Sequence, residues 1–125
     1  MTKKFLPVLF LPLLLAGCAT TITNLTPLQQ PRSPDNQYTV EVALASSQQT
    51  LRWDSIHPQI LVGSQSYPMR GTLLMTNRWE GLVPVPPGES SVTYRYLFNY
   101  EVNSFGKPKP ASQISPKYTL RINNQ

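Results

Sequence analysis

The sequence predicts an all-β protein, an antiparallel sandwich of about seven strands, and three observations lead to that class. Residues 38–45 and 92–102 alternate apolar and polar side chains with the period of a half-buried strand. Thirteen prolines, eleven of them after residue 17, argue for many turns and strand edges. No segment beyond Cys18 sustains apolar spacing at three and four residues, so helix is a minor component.

Taken in order, the chain opens with Lys3 and Lys4 and an apolar run from Phe5 to Leu15. That run is eleven residues long, where a helix spanning a bilayer needs ~20. With small residues at 16 and 17, residues 1–17 read as a secretory signal, a helix that is cleaved off. Residues 18–36 are polar and broken by Pro27, Pro31 and Pro34, with a turn at Ser33-Pro34-Asp35-Asn36. They read as a Pro-rich tether, with an irregular first strand near residues 22–25. Residues 37–125 are expected to form the sandwich domain.

Within it, Tyr38, Val40, Val42 and Leu44 mark the inward face of the first clear strand. Leu51-Arg52-Trp53 begins another, interrupted near His57-Pro58, and Ile60-Leu61-Val62 follows and stops at Gly63. The stretch from Tyr67 to Met75 is apolar but broken by Pro68 and Gly71. Leu82-Val83-Pro84-Val85 fits a short edge strand, because Pro84 cannot donate to a ladder. Pro86-Pro87-Gly88-Glu89 is a turn. Val92, Tyr94, Tyr96, Phe98, Tyr100 and Val102 then share one face of a long central strand. Gly106-Lys107-Pro108-Lys109-Pro110 reads as a returning loop, and Tyr118, Leu120 and Ile122 as the inward face of the last strand.

This order resembles an immunoglobulin-like or fibronectin type III-like domain. The resemblance implies that Trp53, on an early-middle strand, is buried against the core. It also implies that Tyr94 or Tyr96, on the penultimate strand after a Pro-Gly turn, forms a tyrosine corner. The chain departs from the pattern in lacking a core cysteine pair and in the longer spacing from Gly88 to Tyr94. A transthyretin-like or other seven-stranded sandwich fits as well.

Leu15-Ala16-Gly17-Cys18, closing the apolar run, resembles the lipobox of bacterial lipoproteins. The match implies recognition of Leu15, Ala16 and Gly17 by the signal peptidase, diacylglyceryl attachment to the Cys18 thiol, cleavage before Cys18 and acylation of the new amino terminus. Two or more acyl chains give stable membrane attachment where one gives only marginal binding. In enterobacterial sorting an Asp after the lipidated cysteine retains the protein at the inner membrane. Ala19 stands there, which favours the outer membrane.

Cleavage would remove Lys3 and Lys4, leaving nine of the eleven basic residues against six acidic ones. They are scattered, with Lys107 and Lys109 the only close pair, which speaks against nucleic-acid binding. Cys18 is the single cysteine, so the domain has no internal disulfide. His57 is the single histidine, and no Gly-x-Ser-x-Gly turn presents a serine to it. Neither a zinc ligand set nor a calcium loop nor a Gly-rich phosphate loop is present. The sequence thus predicts no enzyme, catalytic residue, metal or cofactor. Asn24-Leu25-Thr26 matches the glycosylation tripeptide, read as chance. Trp79 lies in the polar, turn-like setting Asn77-Arg78-Trp79-Glu80-Gly81. There Trp79 and Arg78 are candidate contacts for a protein or glycan partner, unless Trp79 folds back over the end of the sandwich. Together these features predict a membrane-anchored, non-enzymatic accessory or scaffold subunit of an envelope protein assembly. The alternative is a glycan-binding lipoprotein tethering the membrane to the cell wall or a surface polysaccharide.

Overall fold

Alternation on both long strands produces two facing sheets, as a computed structural model describing residues 20–123 shows. Residues 1–19, on which the expected signal segment and Cys18 fall, lie outside the described residues. The strands are β1 (Thr20–Asn24), β2 (Gln29–Pro31), β3 (Gln37–Ser46), β4 (Leu51–Val62), β5 (Gln65–Pro68), β6 (Arg70–Gly71), β7 (Arg78–Pro84), β8 (Ser91–Ser104), β9 (Lys107–Ile114) and β10 (Tyr118–Asn123). The described residues contain no helix. One sheet runs β1-β3-β7-β6 and the other β2-β10-β8-β4-β5, with β9 also paired to β8. That is the ABED sheet of an immunoglobulin-like sandwich packed on a GFC sheet extended by C′. All pairings are antiparallel except β2 with β10.

The inward faces meet in one core. Tyr38, Val40, Val42 and Leu44 of β3 face Tyr94, Tyr96 and Phe98 of β8, with Leu120 and Ile122 of β10 closing the side. These are the residues that alternation selects. More strands form than the expected seven, for identifiable reasons. The returning loop expected at Gly106–Pro110 is instead the start of β9, which pairs with β8 from Ser104↔Lys107 to Leu97↔Ile114. The connection is a two-residue turn with Phe105 at φ +52° and Gly106 at φ +79°, the left-handed pair that a tight hairpin requires. Ser115 accepts and donates on Tyr96, and the Tyr94↔Tyr118 pairing that follows is offset by one residue. β9 and β10 are therefore one G strand interrupted by a bulge at Pro116.

The tether expected over residues 18–36 is also corrected from Thr20 on, where the strand expected near residues 22–25 forms and a second joins it. β1 pairs with β3 from Thr20↔Ser46 to Asn24↔Val42, and β2 pairs with β10 in the other sheet. The polar Thr and Gln side chains disguise these as linker, but on edge strands only every second residue faces the core. The turn at Ser33–Asn36 is where it was expected, with Asn36 N–H donating to the Ser33 carbonyl at φ +58°.

The tryptophans exchange their expected places. β4 carries a large bulge, its register against β8 shifting between Arg52 and His57. Ser55 Oγ stitches it, donating to the Arg52 carbonyl at 2.6 Å and accepting Glu101 N–H at 2.8 Å. The extra residues carry Trp53 outward, to 42 % exposure, and reset the inward parity to Ile56 and Ile60. Trp79 instead sits inside β7, opposite Val42, at 7 % exposure. The inward series is Trp79, Gly81, Val83 and Val85; the glycine hides its periodicity.

Gly81 is glycine because there is no room for more. A Cβ there would lie 2.8 Å from Ile60 Cδ1 and 2.9 Å from the Pro68 carbonyl oxygen, and the latter is backbone. Gly81→Ala is expected to lower the unfolding free energy by about 1–3 kcal/mol, read from the urea midpoint. Gly88→Ala, with nothing within 4 Å of the added carbon, is the neutral control.

Candidate functional site

The polar cluster where β1 crosses between sheets is structural. Tyr96, fully buried, donates its hydroxyl to Asn24 Oδ1 at 2.6 Å and shares it with the Glu41 carbonyl at 3.1 Å. Asn24 Nδ2 donates to the Tyr94 hydroxyl at 3.0 Å, and Thr26 Oγ1 accepts the Glu41 N–H at 2.9 Å. Neither tyrosine forms the expected corner. Both hydroxyls cross the core to Asn24, so two members of the Asn24-Leu25-Thr26 tripeptide serve the fold. Burial pushes the Tyr96 pKa far above its ordinary value, against a smaller lowering by the Thr26 hydroxyl. In the unfolded chain the phenol ionises near pH ~10. The stability that depends on neutral Tyr96 is complete below that pH and falls as pH rises past it, by about 1.4 kcal/mol per unit. Tyr96→Phe is expected to cost about 1–3 kcal/mol at neutral pH, leaving Asn24 Oδ1 short of a donor. It should also flatten the alkaline decline, read by urea unfolding between neutral pH and pH ~11.

Of the candidate contacts, Arg78 is exposed at the start of β7, whereas Trp79 is not available to a ligand. Its ring packs edge-on against Phe98, with centroids 5.6 Å apart. The exposed-contact reading of Trp79 is thus corrected in favour of core. Cys18, Leu15, Ala16 and Gly17 lie outside the described residues. His57 is exposed on β4 and lines a shallow groove with Arg52, Asp54, Ser55, Asn99 and Glu101. Glu101 is engaged by Arg52 at 3.1 Å. Among the described residues, no cluster of three His, Cys, Asp or Glu could hold a metal ion, and no helix is long and apolar enough to cross a membrane.

Two surfaces stand out instead. The first is the outer edge of β7. β6 pairs only with Trp79 and Glu80, so among the described residues no strand is paired to the outer side of Gly81–Pro84. An open groove of about 460 Å³ follows this edge, lined by Tyr67, Pro68, Met69 and Leu82, with the Arg70–Glu80 ion pair at its rim. Pro84 lies on this edge, as its missing N–H leads one to expect.

The second is the end of the sandwich where β1 begins. Thr20 Oγ1 meets Ser46 Oγ at 2.8 Å, and the Leu44 N–H donates to the Asn77 carbonyl. Leu44–Ser46, Trp53 and Thr76–Asn77 line one depression there. The β6–β7 turn beside it closes with Met75 N–H on the Thr72 carbonyl and carries Leu73 and Leu74 at its tip, 84 % and 93 % exposed. From the other sheet, Asn103 N–H binds the Thr50 carbonyl, and the β8–β9 hairpin continues beyond to a wholly exposed Phe105. Leu74 (φ +67°) and Phe105 both hold left-handed backbone, which costs a residue other than Gly or Asn about 1–2 kcal/mol. Alternation could not locate this surface. Its signal is bulky apolar residues at turn positions that favour Gly or Asn.

No protein-family model matches the chain, and no curated protein matches it. Several solved structures do. One is a DUF4785 family protein from Legionella pneumophila, 10 % identical at TM-score 0.44 over 82 % of this chain, which spans only 28 % of that protein. Another is murine CRIg, 7 % identical at TM-score 0.45 over 86 % of this chain and 98 % of that one. A third is AggA, the major subunit of aggregative adherence fimbriae type I from Escherichia coli, 12 % identical at TM-score 0.41, with 86 % and 95 % covered.

Proposed function

We propose that this protein is a bacterial lipoprotein, held at a membrane by acylated Cys18 and acting there as a non-enzymatic accessory or scaffold subunit of an envelope protein assembly. The observation that carries the reading is the run Leu15-Ala16-Gly17-Cys18 behind a basic, apolar signal, with only Ala19 between Cys18 and β1. Ala19 favours the outer membrane as the destination. The open outer edge of β7 supports the subunit role, because a free edge beside an apolar groove accepts an added strand. Anchoring raises the local concentration of that edge around a membrane-bound partner. The glycan-tether alternative rested on an exposed Trp79, and its burial removes that support.

A photo-crosslinking residue in place of Leu82, in living cells, tests the role. The expected result is one recurrent envelope protein attached to the purified, membrane-derived chain, and absent when the crosslinker replaces Glu89. Recovery of the chain alone, or of wall fragments without protein, would overturn the subunit reading.

A further inference from the structure

We infer that the end of the sandwich where β1 begins docks on the lipid surface itself, with Leu73, Leu74 and Phe105 seated among the headgroups. The inference rests on the anchoring of Cys18 proposed above and says how the anchored domain stands. Two peptide units, between Cys18 and Thr20, reach at most about 7 Å. Thr20 is already paired to Ser46 in the sheet. An acylated Cys18 therefore leaves almost no slack, and it brings this end of the molecule, not the other, against the bilayer.

Three features of that end fit a lipid surface. β1 lies at one edge of its sheet and the Leu73-Leu74 turn follows β6 at the opposite edge, while the Phe105 hairpin projects from the other sheet. Anchor and two apolar tips thus form a tripod rather than a line. Phe105 stands three residues past Val102, whose partner is Leu51, so the tip projects about 10 Å beyond that pairing. Behind it on the same hairpin come Lys107 and Lys109, exposed and able to reach anionic headgroups while Phe105 sits deeper. The nearest acid on β8, Glu101, is already paired with Arg52. Both tips also place a bulky apolar residue, Leu74 or Phe105, at a left-handed turn position where Gly or Asn is more favourable. In this posture the strands rise from the membrane and the free Gly81–Pro84 edge stands in the half of the domain farther from it, facing sideways.

The test uses the full chain made in a bacterial host, purified from membranes and placed in vesicles of phosphatidylethanolamine and phosphatidylglycerol. Under the anchoring reading the Cys18 sulfur is blocked, so Leu73→Cys, Phe105→Cys and Glu89→Cys each carry the only free thiol, to which a fluorophore is attached. Labels at 73 and 105 are expected to be several-fold less accessible to a water-soluble quencher than the label at 89, and to be quenched by brominated lipid. Adding Leu74→Asn to the 105 label and Phe105→Asn to the 73 label should restore accessibility while raising the urea midpoint, because Asn suits both turns. Equal exposure of all three labels on a vesicle-bound, acylated chain would overturn the docking and leave the anchor standing. So would labels shielded in native membranes but open in lipid-only vesicles, which means a protein covers this end. Purified protein with Cys18 unacylated would instead refute the anchor, and the docking with it.

Discussion

Trp79→Ala is expected to remove about 3–5 kcal/mol from the unfolding free energy, a fifth or more of what a domain of this size commonly has, about 5–15 kcal/mol in all. The ring is 7 % exposed, lies edge-on to Phe98 and fills the β3–β7 side of the core opposite Val42. Sheet residues cannot collapse around so large a void without disturbing two ladders, which places the loss at the upper end. Trp53→Ala should cost about 1 kcal/mol or less, since the ring is 42 % exposed and sits on a bulge. Urea titration of both variants by circular dichroism checks the pair. Fluorescence adds a second reading: Trp53→Ala should keep a blue, unfolding-sensitive emission, and Trp79→Ala should lose it. The reverse order of costs would mean that the parity of β4 and β7 is wrong.

The two tryptophans show where sequence periodicity reaches its limit. β3 and β8 carry no bulge of their own and bury one face, so their alternation passes directly into Tyr38–Leu44 and Tyr94–Phe98 as core. In β4 the bulge after Arg52 inserts residues that alternation cannot anticipate, because what holds it is Ser55 binding across to Glu101. In β7 a strand residue is glycine for a tertiary reason, the approach of Ile60 and Pro68, and a glycine next to Trp-Glu reads locally as a turn. β9 was hidden by Pro108 and Pro110, which fit the solvent-facing edge of an outer strand. Tertiary context, not weak local signal, decided each of these.

The surfaces of interest differ in the same way. The lipobox proposed at residues 15–18 is legible because such a motif would be read as a linear sequence, needing no fold to bring its parts together. The β7 edge depends on how far β6 runs, and the apolar end combines turns from residues 72–75 and 104–107 that are distant in sequence. Leu73-Leu74 and Phe105-Gly106 look unremarkable until the fold places both beside the start of β1.

Cys18→Ala should change where and in what form the chain exists while leaving the fold alone. Under the anchoring proposal the natural protein loses residues 1–17 and gains acyl mass, whereas the variant keeps all 125 residues and gains none. Simple fractionation is a poor readout, since an uncleaved chain retains the apolar run from Phe5 to Leu15 and can stay with the membrane. Intact mass is the decisive measurement. An acylated variant, or a natural protein that is unacylated or cut elsewhere, would end the proposal. The urea midpoint should stay unchanged, because the buried core of the described residues runs from Tyr38 to Ile122, far along the chain from Cys18. Any partner bound at the β7 edge would then meet the domain at bulk rather than surface concentration, an apparent weakening of about 10²–10⁴-fold without one altered contact. A chain that folds normally yet fails to co-purify with its partner would place the function in the location of the domain, which is what a tethered scaffold with no chemistry of its own requires.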